Sequence, residues 1–286
     1  MDPFATREAE RLLKEWDVQS LPVDPLAIAD QHDIVCQGMP SKNSGVSGMF
    51  IKNRDAYGIL YATHINNEGF QRFSIGHELG HYFLPGHPEA VFSGGIIHES
   101  RAGFVSSDKY ESEADQFACG LLMPNYLFDP ALEQAGDGLE AIKTLEERCG
   151  TSLTATAIRY AQRTPEPGAI VVSIGGTVDY CFMSDELKEY PGLSWIKKGS
   201  KVPRSSPTYE FNKDNDNVRL ANQDAGTIDL GTWFGGDIEG ELYEEVIGLG
   251  GYGKTLTILS ASDLPDPEDI EEDEDLEESW TPRFKR

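Results

Sequence analysis

Apolar residues recur at helical spacing in the first part of the chain and form short, strand-like runs in the last part. The helical period predicts helices over residues 5–16, 26–31, 67–84, 108–123, 138–148 and 152–163. Short apolar runs between polar turns predict strands over residues 46–51, 57–62, 169–174, 177–183, 242–249 and 254–260. Glycine, serine and proline predict a loop or short hairpin over residues 86–107, and polar residues predict long loops over 198–226.

This change of pattern predicts three regions. The turn-forming sequence TPEPG at residues 164–168 ends a first domain, 1–164, which has the helical pair 138–163 at its end. A strand-rich region of unknown role follows at residues 165–262. Eleven acidic residues and no basic ones lie between Asp263 and Glu278. Such a segment buries too little apolar surface to fold, so residues 263–286 are predicted to be a disordered acidic tail.

Composition narrows the classes of protein that this chain can represent. A hydrophobic fraction of 39% is enough for a core, and the net charge of −25 opposes direct DNA binding. The four cysteines form no CxxC pair, which disfavours both a disulfide framework and a cysteine-based metal site. The chain has neither an apolar run of membrane-spanning length nor a signal peptide. A cytoplasmic protein without membrane contact is therefore expected.

The segment from His77 to His81 contains the motif HExxH inside a predicted helix. Two histidines four residues apart share one helix face, so both imidazoles can reach a single tetrahedral zinc ion. Glu78 lies about 100° around the helix, where it can accept a proton from water on the metal without being a ligand. Three fixed positions also arise by chance, but here the motif is mid-helix among apolar residues, and Gly80 permits a close neighbour. The motif predicts a zinc site with Glu78 as the catalytic base.

The helix predicted over residues 108–123 offers two glutamates as the third ligand. Its buried face is marked by an apolar stripe: Ala114, Phe117, Ala118, Leu121 and Leu122. Glu111 lies roughly 50° from the centre of this stripe and Glu113 roughly 110° away. Glu111 is therefore predicted to bind the metal, although it could instead form a capping box with Asp108, and Glu113 is predicted to be a solvated charge. Asp115, one turn beyond Glu111, is predicted to orient a histidine ligand.

Two further features have both a functional and an ordinary interpretation. Tyr110 and His98 flank the loop before the ligand helix, so either could stabilise an oxyanion, or both could serve packing alone. The helices over 138–148 and 152–163 have the outline of a helix-turn-helix, with Gly150 in the turn. Because Arg159 and Arg163 are the only basic residues of the second helix, a helix hairpin that closes the core is favoured.

The two motifs together resemble the ImmA/IrrE family of metallopeptidases. The resemblance is carried by RFSIGHELGHYFL, then YESEADQFACGLLMP, and by LPVDPLAIADQHDI nearer the start, and it covers residues 5–163. It implies zinc on His77, His81 and Glu111, with Glu78 as the base, which is the gluzincin-like pattern. It also implies a compact zincin-like domain, so the predicted fold class is α+β, with the strand-rich region and the acidic tail following. Members of the family are intracellular proteins that cleave repressors of the helix-turn-helix type.

The expected function is therefore that of a zinc-dependent endopeptidase whose substrate is an intracellular protein, in particular a helix-turn-helix transcriptional repressor. A second reading is a non-catalytic zinc-binding regulator that controls a repressor or another partner by binding. An intact Glu78 favours catalysis, because a binding protein does not need a base at that position. A metalloenzyme that acts on a small molecule is a third possibility.

Overall fold

The computed structural model describes residues 3–39, 45–101, 108–236, 239–261 and 264–265. The helices in these ranges are α1 (Phe4–Glu15), α2 (Pro25–Gln31), α3 (Glu68–Phe83), α4 (His87–Val91), α5 (Lys109–Leu122), α6 (Asn125–Ala135), α7 (Gly138–Cys149), α8 (Leu153–Arg163), α9 (Asp185–Lys188), α10 (Pro207–Phe211), α11 (Asn215–Arg219) and α12 (Leu230–Phe234), with a 3-10 helix at Gly250–Tyr252. The strands are β1 (Val35–Met39), β2 (Val46–Asn53), β3 (Ala56–Ala62), β4 (Ile97–Arg101), β5 (Gly168–Ile174), β6 (Thr177–Met183), β7 (Gln223–Asp229), β8 (Glu241–Gly248) and β9 (Thr255–Ala261).

These elements form two compact units, and the predicted α+β class is confirmed. The first unit comprises Met1–Gly136 and Glu140–Arg159, and the second comprises Asp137–Leu139 and Tyr160–Arg286. The division into domains at 1–164, 165–262 and 263–286 stays a prediction. The segment predicted to be a disordered tail lies outside the described residues, apart from 264 and 265. Within the described ranges, no helix has both the length and the apolar character needed to cross a membrane.

The first unit places α3 between a small sheet and α5. The sheet has the order β1-β3-β2-β4, in which β1 and β3 are parallel and the other pairs antiparallel. Helix α3 contacts the inner strands β2 and β3 as well as α5, and α5 also contacts α1. Because α3 is covered on two sides, it buries nine residues, and these include the polar side chains of both histidines of the motif.

Local sequence signals fix the ends and the spacing of α3 and α5. The side chain of Asn67 caps α3 by accepting from the backbone N–H of Phe70 at 2.8 Å. Asp108 caps α5 in the same way through Tyr110 N–H at 2.8 Å. Gly80 allows the close approach of the two helices, because a Cβ there would lie 3.1 Å from Ala114 Cα.

The second unit is built on an antiparallel sheet of order β6-β5-β9-β8-β7. Its core includes the following buried apolar residues: Val171, Val178, Leu187, Leu230, Phe234, Leu242 and Leu259. One acidic side chain, Glu244 on β8, is fully buried within this unit. Its Oε1 accepts from the backbone N–H of Thr208 at 2.8 Å and its Oε2 from the indole N–H of Trp233 at 2.7 Å. The carboxylate is thus satisfied by neutral donors.

Several elements depart from the sequence expectations. The segment predicted as a loop or hairpin over 86–107 contains α4 and β4, and the predicted loops over 198–226 contain α10, α11 and the start of β7. The strands β1 and β7 and the helix α6 are not predicted from the sequence. In α6, Pro124 stands at the N-cap and Pro130 inside the helix, and these prolines mask the helical pattern. In β7, six of the seven residues are not buried, so the strand lacks a clear apolar alternation.

The helices α7 and α8 lie where the sequence predicts them. Arg159, one of the two basic residues on the second helix, is only 2% exposed. Its Nε donates to the backbone carbonyl of Met123 at 3.2 Å. An arginine held in this way ties α8 to the end of α5 and does not face solvent. This agrees with the helix hairpin and not with a DNA-reading helix.

Candidate metal centre

Helix α3 carries His77, Glu78 and His81 into the interior of the first unit. All three side chains are buried, with Glu78 and His81 at 0% exposure. The first turn of α5 brings Glu111 to the same place, because α5 packs along α3. Glu111 therefore does not form the capping box with Asp108 that the sequence allowed; its carboxylate contacts the histidines.

The three predicted ligands form a compact cluster. His77 Nε2 and His81 Nε2 lie 3.1 Å apart, and each lies 3.4 Å from a carboxylate oxygen of Glu111. Zinc bonds to nitrogen and oxygen of 2.0–2.2 Å imply tetrahedral ligand–ligand edges of about 3.3–3.6 Å. Among the described residues, these three make up the group whose ligand atoms all lie within 4.8 Å of one another. The donor set and its spacing thus fit a tetrahedral ion.

The charges around the cluster also suit a cation. Burial would raise the pKa of Glu111, but hydrogen bonds with His77, His81 and His98 outweigh burial and hold it well below its usual range. Burial would lower the pKa of His77, yet its contacts with Asp115 and Glu111 raise it to about 10. Burial lowers the pKa of His81 to about 4, so this ring is neutral. The cluster therefore attracts one positive charge, which a metal ion can supply in place of the proton on His77.

Glu78 lies beside this cluster in an unusual environment. Neither of its carboxylate oxygens has a hydrogen-bond partner within the described part of the chain. Burial raises the pKa of Glu78 to about 7, and the charge of His77 and the nearby hydroxyl of Ser100 oppose this shift. Gly48 on β2 makes room for the side chain, since a Cβ there would lie 2.2 Å from Glu78 Oε1. A carboxyl group with a pKa near neutrality, held beside a metal cluster, is suited to accept and return a proton.

The other predicted site residues lie around the cluster at different places. Asp115 Oδ1 is 2.8 Å from His77 Nδ1, where it can fix the orientation of that ring. His98, on β4, has its Nε2 2.8 Å from Glu111 Oε1. Tyr110 is 37% exposed, and its ring packs edge-on against His87 at 5.0 Å. The roles of His98 and Tyr110 toward an oxyanion stay predictions.

Two residues, His87 and Glu113, make contacts at the site that were not expected from the sequence. His87 is 1% exposed, and its Nδ1 lies 3.2 Å from His81 Nδ1. The Nε2 of His87 lies 3.1 Å from Glu113 Oε2, so Glu113 is not the solvated charge that its position on the helix suggested. Burial lowers the pKa of His87, opposed by Glu113. A sequence signal was available, because His87 follows His77 by ten residues, the spacing of the third histidine in HExxHxxGxxH enzymes.

The buried His-His-Glu cluster and the carboxyl group beside it form the arrangement that a metal-dependent peptidase would need. Residues 29–160 match the family model described as IrrE N-terminal-like domain, Peptidase_M78. The match to this family model confirms the resemblance carried by the two motifs. No curated protein matches the chain.

A solved structure with a similar fold is a transcriptional regulator from Mycobacterium tuberculosis. The TM-score is 0.57 and the identity 15%, and the match covers 92% of this chain and 82% of that one. At this identity the likeness concerns the fold alone. It extends beyond the peptidase segment, because the matched share of the chain is larger than residues 29–160.

Proposed function

We propose that this protein is a zinc-dependent endopeptidase that cleaves a cytoplasmic transcriptional repressor of the helix-turn-helix class. The observation that carries the proposal is the pairing of two features at one place. The ligand atoms of His77, His81 and Glu111 lie close enough together for one ion, and beside them lies the carboxyl group of Glu78, which has no hydrogen-bond partner among the described residues. The repressor as substrate is supported by the ImmA/IrrE resemblance.

In this proposal His77, His81 and Glu111 hold the zinc ion. A zinc ion held there would polarise the scissile carbonyl and acidify water. Glu78 accepts a proton at its carboxylate and returns it to the leaving amine, a role that a pKa of about 7 suits at cellular pH. Asp115 holds the ring of His77, and the buried surroundings of Glu78 exclude the solvent that would otherwise lower its pKa.

The test is co-expression of the full chain with candidate repressors, followed by a search for discrete fragments. Wild type is expected to cut its substrate and relieve repression. Glu78→Gln keeps the size of the side chain but cannot carry the proton. It is expected to bind zinc and to cut about 10²–10⁴-fold more slowly. His77→Ala serves as the control that loses the metal itself.

A different outcome would favour a non-catalytic regulator. If wild type and Glu78→Gln relieved repression equally and neither produced fragments, the protein would act by binding its partner. Catalysis would then be abandoned, while the metal cluster could still be structural.

A further inference from the structure

The ring of His87 is placed against His81 by the turn that follows α3. The helix ends at Phe83, and Gly86 adopts a left-handed conformation with φ 78° that reverses the chain into α4. The backbone N–H of His87 donates to Leu84 O at 3.2 Å, which closes this turn. His87 is thus held by the backbone at a fixed position beside the second histidine of the motif.

The three side chains His81, His87 and Glu113 form a continuous chain of contacts. The Nδ1 atoms of His81 and His87 lie 3.2 Å apart, and His87 Nε2 lies 3.1 Å from Glu113 Oε2. Each ring nitrogen can either donate or accept, so the tautomers follow from the network. A carboxylate accepts only, so His87 must carry its proton on Nε2, which leaves its Nδ1 as an acceptor. His81 must then donate from Nδ1.

This assignment has a consequence for the metal cluster. With its proton on Nδ1, neutral His81 has a free lone pair on Nε2, the atom that faces His77 Nε2 and Glu111. The opposite tautomer of His81 would place a proton on Nε2 and block ligation. The partners on the far side of the ring therefore select the tautomer that can bind a metal.

We propose that His87 and Glu113 are positioning residues that fix the ring and the tautomer of His81, as Asp115 does for His77. The proposal rests on the zinc site proposed above. The two ligand histidines are supported differently: His77 contacts a carboxylate directly at 2.8 Å, whereas His81 reaches its carboxylate through a second imidazole.

Direct ligation by His87 is the competing interpretation, because its spacing matches the third histidine of HExxHxxGxxH enzymes. Leu84 stands where that motif has glycine. In the structure, His87 faces the Nδ1 side of His81 and its other nitrogen contacts Glu113. Within the described ranges, the compact ligand group contains Glu111 and not His87. The geometry therefore favours positioning over ligation.

The test measures zinc affinity of the purified full chain by competition with a chromophoric chelator. His87→Ala is expected to weaken zinc binding by about 10–100-fold, the usual effect of removing a partner of a ligand. Glu113→Ala is expected to weaken zinc binding in the same direction. His87→Gln is expected to restore part of the affinity, because its amide offers both an acceptor and a donor. Glu89→Ala, an exposed acid on α4, is the matched control and should bind as wild type.

The outcomes separate this inference from the proposed function. Wild type that binds no zinc overturns both. Wild type that binds zinc while His87→Ala and Glu113→Ala bind it equally well overturns the positioning role alone. If His87→Ala loses zinc as completely as His81→Ala while Glu113→Ala binds normally, His87 is a ligand and the proposal is also overturned. A weakened Glu113→Ala and a partly rescued His87→Gln decide in its favour even if His87→Ala does not fold.

Discussion

Glu78 in the first unit and Glu244 in the second are both fully buried glutamates, yet their surroundings are opposite. Glu244 accepts one hydrogen bond on each oxygen, from Thr208 N–H and from the indole of Trp233. Glu78 has no hydrogen-bond partner on either oxygen within the described residues, and burial raises its pKa to about 7. The two carboxylates are thus equally buried, and they differ in the hydrogen bonds that they accept from the described residues.

The comparison distinguishes a carboxylate that supports the structure, Glu244, from one that is suited to transfer a proton, Glu78. A buried carboxylate that is fully hydrogen-bonded is held in place by its donors and links the elements around it. A buried carboxylate without donors destabilises the fold, and such a cost is usual where the group must gain and lose a proton. Each of the following predictions changes one side of the comparison.

The largest effect is expected on the rate of cleavage, when a larger residue at position 48 displaces the carboxylate of Glu78. In Gly48→Ala the new methyl group would overlap Glu78 Oε1, so the carboxylate must leave its place. A displacement of this size is expected to slow cleavage on the order of 10²-fold, with zinc binding retained. Gly58→Ala on β3 is the control, because its nearest neighbour would be Val35 O at 3.4 Å. Full cleavage by Gly48→Ala would show that Glu78 does not need its present position.

The next effect is on the free energy of unfolding when Glu244 or Glu78 is replaced by glutamine. Glu244→Gln places an amide NH₂ against one of the two donors, which is expected to lower the free energy of unfolding by about 1–3 kcal/mol. Glu78→Gln removes a buried charge whose oxygens have no hydrogen-bond partner among the described residues, so it should not lower the free energy of unfolding. Urea unfolding of both variants with a chelator present measures the difference. Equal losses at the two positions would contradict the distinction.

Taken per pH unit, the smallest effect is the pH dependence of the metal-free protein. The pKa of Glu78 is raised from 4.5 to about 7 in the folded state, so the folded state binds more protons than the unfolded state between these values. Its stabilising contribution is present below pH 4.5 and is lost as the pH rises to about 7. Wild type should therefore lose up to about 1.4 kcal/mol per pH unit relative to Glu78→Gln in this window. Parallel pH curves for the two proteins would rule out the raised pKa.

The sequence predicts the parts of the site that depend on a single helix. The positions of His77, Glu78 and His81 follow from the helical period, and the side of α5 on which Glu111 lies follows from its apolar stripe. These are short-range relations, and a helix repeats them regularly. The chain places Glu111 in the cluster and Asp115 beside His77, as the periodicity indicated.

The residues that strands and turns bring to the site could not be predicted from helical periodicity. Gly48 reaches Glu78 only because β2 packs on α3, and His98 reaches Glu111 only because β4 pairs with β2. Strand pairing is a long-range relation that one sequence does not encode locally. His87 depends on a turn at Gly86, and the polar strand β7 depends on its pairing with β8. In each case tertiary contacts, and not local pattern, decide the structure.

The most direct test of the account is the metal content of the protein purified without added metal. Wild type is expected to hold about one zinc per chain, because two histidines and one glutamate supply three ligands of a tetrahedral ion and leave one position open. A His77→Ala, His81→Ala double variant that remains folded by circular dichroism is expected to hold no zinc. Wild type that stays metal-free after incubation with zinc, or a double variant that retains stoichiometric zinc, would contradict the account.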